Sequence, residues 1–171
     1  MKRQLVVLSA KLIRSAATSP LKLSLLNWLL QRVIPFNAGH GISLASISDN
    51  QVEVNLPVRR ANKNHLGGIH ACAIAAAGEF SSGVLLLRGI DLSRYRLIMK
   101  DLHVSYLKQG RSRLRAVCEL PQELSLSSLD QRLASGEVCE VTLRPKVYDS
   151  GQQLIAELQV VWQLKSFAQV G

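Results

Sequence analysis

A chain of 171 residues, 47% hydrophobic and 19% charged, has the composition of one folded domain, which excludes disordered and fibrous classes. Three widely separated cysteines (Cys72, Cys118 and Cys139) exclude a disulfide framework and a paired-cysteine metal site; they read as reduced core residues of a cytoplasmic protein. The net charge of +9 favours an anionic partner, with nucleic acid, anionic lipid and a phosphate-bearing ligand as the candidate classes.

The charge is unevenly placed. Residues 1–48 contain no Asp or Glu but carry Lys2, Arg3, Lys11, Arg14, Lys22 and Arg32. The run Leu5-Val6-Val7-Leu8 is interrupted by Lys11, too early for a secretory signal, and no stretch reaches the roughly 18 apolar residues of a membrane span. The acid-free start also resembles a mitochondrial transit peptide; cytoplasmic is the simpler reading. Leu5, Leu8 and Leu12 recur at helical spacing, predicting an amphipathic helix over 4–16 as an N-terminal extension, with the domain proper over 20–171. Ser19 and Pro20 mark a new start, and Leu21, Leu25, Trp28 and Leu29 carry a second helix to about Val33, with Pro35 as its stop. Packing on the domain is expected for these helices, with contact to a membrane surface as the alternative.

From Ile42 the period changes to two. Short strands are expected over 42–47 and 51–58 about the turn Ser48-Asp49-Asn50, followed by a basic loop with Arg59, Arg60 and Lys63. The sequence Asn64-His65-Leu66-Gly67-Gly68-Ile69-His70 then leads into a small-residue helix over about 68–87. That helix is apolar on every side except for Glu79, which predicts a buried helix holding one carboxylate of raised pKa. Tyr95, Leu97 and Met99 alternate in one phase and Leu102, Val104 and Tyr106 in the other, which predicts a β-bulge near Lys100-Asp101. A strand through Leu114, Ala116 and Cys118 follows, then a Leu/Ser-rich connection over 121–134 with one helical turn. Cys139, Val141, Leu143 and Val147 line another strand, and Leu154 to Leu164 show the cleanest alternation in the chain. The elements predict an α+β domain in which an antiparallel sheet of about six strands curves around one long helix.

The chemistry concentrates at that helix. Its first N–H groups lack internal partners and sit at the positive end of its dipole, so they suit a carbonyl oxygen or an anion, and Gly67 and Gly68 permit close approach. Glu79 is suited to act as general base or nucleophile, and Asn64 to orient water or substrate. Each has a structural alternative: Asn64 as a cap, His70 bonded to the loop, Glu79 paired with Arg88 or Arg94 across an interface. Glu79 follows His70 by nine residues, ~13 Å along a helix and half a turn out of phase, so cooperation requires a second copy of the chain. No His/Cys/Asp cluster has metal spacing, and no stacking platform for nucleic acid is visible.

At Asn64, Gly67, His70 and Glu79 the chain resembles the hot-dog fold thioesterases, particularly the PaaI-like group. Their motif places Asn, Gly and His at these intervals and an acid nine residues beyond the histidine. The resemblance implies a hot-dog fold and a homodimer, or a dimer of dimers, that hydrolyses acyl-CoA or acyl-carrier-protein thioesters without a further cofactor. It implies Glu79 as base or nucleophile, the backbone N–H of Ala71 polarising the carbonyl, and Asn64 assisting from the opposite subunit. Ala71-Cys72 replace the family's Gly-Gly, and Glu79 replaces an aspartate. Arg59, Arg60 and Lys63 are candidate contacts for CoA phosphates. A non-catalytic acyl-ligand or carrier-protein binding module is the alternative.

Overall fold

The computed structural model describes residues 19–91 and 93–167 together with Leu8, Leu12, Ile13 and Ser15. Those four are helical, and Ile13 is buried in the main core; the rest of the helix expected over 4–16 lies outside the described residues. Helix α1 (Pro20–Val33) starts at Ser19 with Pro20 in its first turn and buries Leu26, Leu29 and Leu30. The helix ends at Val33 as expected, and Pro35 then opens a second short helix, α2 (Pro35–His40). A proline costs nothing at a first helical position, where its missing N–H would have no partner.

Strands β1 (Ser43–Ile47) and β2 (Gln51–Leu56) form the expected hairpin, closed by the Ser48 N–H donating to the Gln51 carbonyl at 2.8 Å. A 3-10 turn over Arg60–Asn62 follows, then α3 (Ala71–Leu87), β3 (Tyr95–Tyr106), β4 (Leu114–Glu119), α4 (Leu126–Ala134), β5 (Cys139–Leu143), β6 (Lys146–Tyr148) and β7 (Leu154–Ser166). The sheet has seven strands, all paired antiparallel, in the order β1-β2-β4-β6-β7-β3, with β5 also on β7.

The extra strand comes from one break. Leu143 of β5 pairs with Val160 of β7 and Lys146 of β6 pairs with Glu157, so the two strands run end to end beside β7 and are divided at Arg144-Pro145. Pro145 has no N–H to give the ladder, though its carbonyl still accepts from the Leu158 N–H at 2.9 Å. The phase slip in β3 is a bulge, with the register against β7 shifting between Met99 and Asp101. The connection after β4 holds more helix than one turn: α4 has nine residues and starts at Ser125, whose hydroxyl accepts from the Ser128 N–H.

Helix α3, 17 residues and ~25 Å long, lies across the concave face of the sheet. Ile74, Ala77, Val84 and Leu85 join Val52, Val54, Ala116, Leu158 and Val160 in one core. Glycine is needed where α3 approaches β7 most closely: a Cβ on Gly78 would lie 2.4 Å from Leu158 Cδ2. A helical glycine costs about 1 kcal/mol relative to alanine, a cost this contact offsets. The helix is not buried all round, however. Ala71 and Cys72 are exposed and Ala75, Ala76 and Glu79 half-buried, because the sheet covers one side of α3 and edge strand β3 carries no further strand on its outer side among the described residues. Cys118 and Cys139 are core residues as expected; Cys72 falls on the open stripe instead.

Candidate functional site

The loop before α3 is held by asparagines. Asn64 Oδ1 accepts from the N–H groups of Leu66 at 3.0 Å and Gly68 at 3.1 Å, and the Asn64 N–H donates to the Gly68 carbonyl at 2.9 Å. Gly67 sits at φ +78°, a left-handed conformation that favours glycine. Gly68 is buried with the Gln109 side chain packed where a Cβ would project, 2.7 Å away. Asn64 therefore has the capping role, while its Nδ2 group makes no hydrogen bond among the described residues. His65 is exposed.

Asn62, which the sequence presents only as part of a basic loop, is fully buried. Its Nδ2 donates to the carbonyls of His40 and Pro57, each at 2.8 Å. With both amide protons committed, its Oδ1 must accept, so His40 Nδ1, 2.7 Å away, carries the proton. The backbone carbonyl of Asn62 accepts the His70 N–H at 2.7 Å, and the Ile69 N–H donates to the Gly110 carbonyl at 2.8 Å. These bonds set where α3 begins.

His70 caps that helix. Its Nδ1 accepts the Cys72 N–H at 3.1 Å, and its carbonyl accepts from Ala73 and Ile74. The N–H of Ala71, between them, has no partner among the described residues and opens beside a groove of about 400 Å³. Asn64, Ala71, Tyr106, Lys108 and Gln109 line this first groove, and the Tyr106 hydroxyl donates to the Ala71 carbonyl at 3.0 Å.

Glu79 lies in a different groove. A cavity of about 420 Å³ between α1, α3, β3 and β7 is walled by Leu30, Ile34, Phe80, Val84, Leu97 and Trp162, with Glu79, Tyr95 and Arg96 as its polar members. Burial among apolar side chains pushes the Glu79 carboxyl up to about 7. Within one chain neither cation reaches it: Arg88 pairs with Asp49 at 2.6 Å and Arg94 lies over the Tyr95 ring. The Tyr95 hydroxyl is buried without a hydrogen-bond partner among the described residues. Below the carboxylate, the Ser82 hydroxyl donates to the Glu79 carbonyl at 2.7 Å and accepts the Trp162 indole N–H at 2.9 Å, which ties this turn of α3 to β7.

The predicted residues therefore form two clusters along one helix. Asn64, Gly67, Gly68, His70 and Ala71 gather at its start, with exposed Lys63, Arg60 and Arg59 on the segment leading in; Glu79 stands apart. No motif marks Asn62, Tyr95 or Tyr106 as site residues in the sequence. Ser82 was readable, as a hydroxyl inside an apolar helix that requires a partner. Among the described residues no group of three His, Cys, Asp or Glu could hold a metal ion, and no helix is long and apolar enough to cross a membrane.

A curved antiparallel sheet wrapped on one long helix is the hot-dog fold, and solved structures share it. One is a Pseudomonas aeruginosa protein of unknown function described as a probable thioesterase, 23% identical with TM-score 0.75, the match covering 84% of this chain and 95% of that one. A Chlorobaculum tepidum protein of unknown function has 14% identity and TM-score 0.74 over 88% and 98% of the two chains. A Haemophilus influenzae thioesterase has 15% identity and TM-score 0.69 over 86% and 93%. At these identities the likeness establishes the fold alone. The chain belongs to the family described as a domain of unknown function, DUF4442, whose model matches residues 23–164. No curated protein matches it.

Proposed function

We propose that this protein hydrolyses acyl thioesters, of CoA or of a carrier protein, at a site completed by two copies of the chain. The observation that carries this reading is Glu79: a carboxylate without an ion-pair partner among the described residues, held near neutrality in an apolar groove. Such a group can take a proton at ordinary pH.

Glu79 and the Ala71 N–H occupy separate grooves, ~12 Å apart along α3 at 1.5 Å per residue, so a single chain does not aim both at one carbonyl. A two-fold pairing of β3 edges and open α3 stripes brings the start of one α3 to the partner's Glu79. In the composite site the acyl chain lies along the apolar groove. The thioester carbonyl oxygen accepts from the Ala71 N–H, with Asn64 Nδ2 as a second donor. Water adds to the carbonyl carbon as its proton passes to Glu79. The tetrahedral intermediate collapses, the C–S bond breaks, and the thiolate leaves with the proton from Glu79. Direct attack by the Glu79 carboxylate, with later hydrolysis of the anhydride, uses the same geometry. Arg59, Arg60 and Lys63 are cations suited to the phosphates of CoA or of a carrier protein's prosthetic arm.

The test is thiol release from short-, medium- and long-chain acyl-CoAs by the purified protein. Release lost in Glu79→Gln, with the oligomer unchanged in size, supports the reading. Equal rates in both proteins remove Glu79 from the chemistry. Acyl ligand retained by both proteins without turnover identifies the binding module instead.

A further inference from the structure

We propose that the outward face of α1 docks on the surface of an anionic lipid bilayer. The inner side of α1 is satisfied by Leu26, Leu29 and Leu30 in the core. Leu21, Leu25 and Trp28 point the other way, 83%, 48% and 51% exposed, and their i, i+4, i+7 spacing places them in one stripe. Phe36, at the start of α2, is a further large exposed apolar residue.

The charges around the stripe select its occupant. Arg32 lies one turn beyond Trp28, its guanidinium 3.5 Å from the ring centroid and its Nη1 donating to the Trp28 carbonyl. Exposed Lys22 flanks the other end. Tryptophan beside arginine suits the boundary between hydrocarbon and headgroups, where the ring is half immersed and the cation meets phosphate. Residues 1–48 have no acid to pair with these cations in a second copy of the same face, so self-association through this stripe brings like charges together. Anionic headgroups supply the complement. At 14 residues, ~21 Å, α1 lies on a bilayer and does not cross it. Leu30 and Ile34, at the end of this segment, also line the groove that holds Glu79, so docking would set that groove near amphiphilic acyl compounds; this last point rests on the function proposed above.

The experiment uses the full chain, no thioester, and vesicles of phosphatidylcholine alone or with one quarter phosphatidylglycerol. Binding is read by co-sedimentation and by tryptophan emission, in which Trp28 is the exposed fluorophore and Trp162 is buried against Ser82. We expect binding to anionic vesicles with a blue shift, at least about tenfold weaker on neutral vesicles or in 1 M salt. Brominated lipid should quench the emission of the unsubstituted protein. Leu25→Glu and Trp28→Ser, both at exposed positions, should abolish binding. The proposal is overturned if anionic vesicles do not bind, if both variants bind as well as the parent, or if the stripe drives only lipid-independent self-association.

Discussion

The hydroxyl of Ser82 accepts a hydrogen bond from the indole N–H of Trp162 at 2.9 Å inside the core, and donates one to the carbonyl of Glu79. One small polar residue thus joins the widest side chain of β7 to the helical turn that carries the acid. The bond from the indole is buried, so the Trp162 N–H has no water to fall back on. Ser82→Ala is expected to leave the indole unpaired and to lower stability by about 1–3 kcal/mol. Urea unfolding checks this as a lower midpoint at unchanged slope.

The catalytic role proposed for ionised Glu79 carries a pH signature. With its carboxyl near 7, the competent form falls tenfold per pH unit below that value and saturates above it. The kcat/KM for an acyl-CoA should follow this curve. A Glu79→Gln variant should be at least about 100-fold slower and flat across the same range.

The same burial makes the acid a burden on the fold. Unfolded, it titrates near 4.5; folded, near 7, so the native state binds the proton more tightly. The contribution of this proton is complete below about pH 4.5 and disappears as pH rises through 7. Glu79→Gln should therefore match the parent in acid and be more stable above pH 7, by up to about 3 kcal/mol before allowance for partial exposure. Thermal denaturation at pH 4.5 and pH 8 measures the difference. Loss of activity together with a gain of stability is the behaviour of a functional acid.

Asn62 should be the costliest of the loop asparagines. Asn62→Ala removes three part-buried side-chain bonds and takes the protein partner from the carbonyls of His40 and Pro57 and from the His40 Nδ1–H. A loss of about 3 kcal/mol is expected, readable as a fall in melting temperature.

Asn64→Asp separates capping from catalysis. Aspartate keeps an oxygen for the N–H groups of Leu66 and Gly68 but lacks the Nδ2 donor. If that donor holds the thioester oxygen, kcat/KM should fall about 100-fold while stability changes by less than about 1 kcal/mol. Paired steady-state kinetics and unfolding curves decide it.

Local order was legible wherever period and turn chemistry are local properties. Leu154 to Leu164 alternate because one face of β7 is buried, and the phase reversal at Lys100-Asp101 marks the bulge because a strand's side chains change face at every residue. Glu79 was conspicuous because an acid in an apolar helix requires a reason. The division at Pro145 also has a local signal, a proline inside a strand-like run, though the alternation of Cys139 to Val147 reads as one strand.

What covers each face depends on chain far away in sequence, and there only the tertiary structure decided. Cys72 looks like core from its alanine neighbours yet is exposed, because the sheet reaches the other side of α3. Asn62 looks like loop yet is buried, because α2 and the end of β2 bring two carbonyls to its amide. The sequence by itself determined the order of the elements, their faces and the lone acid. The folded chain decided that the acid and the start of its helix open into separate grooves, because side chains along one rigid helix project in directions set by its pitch and by what packs beside it.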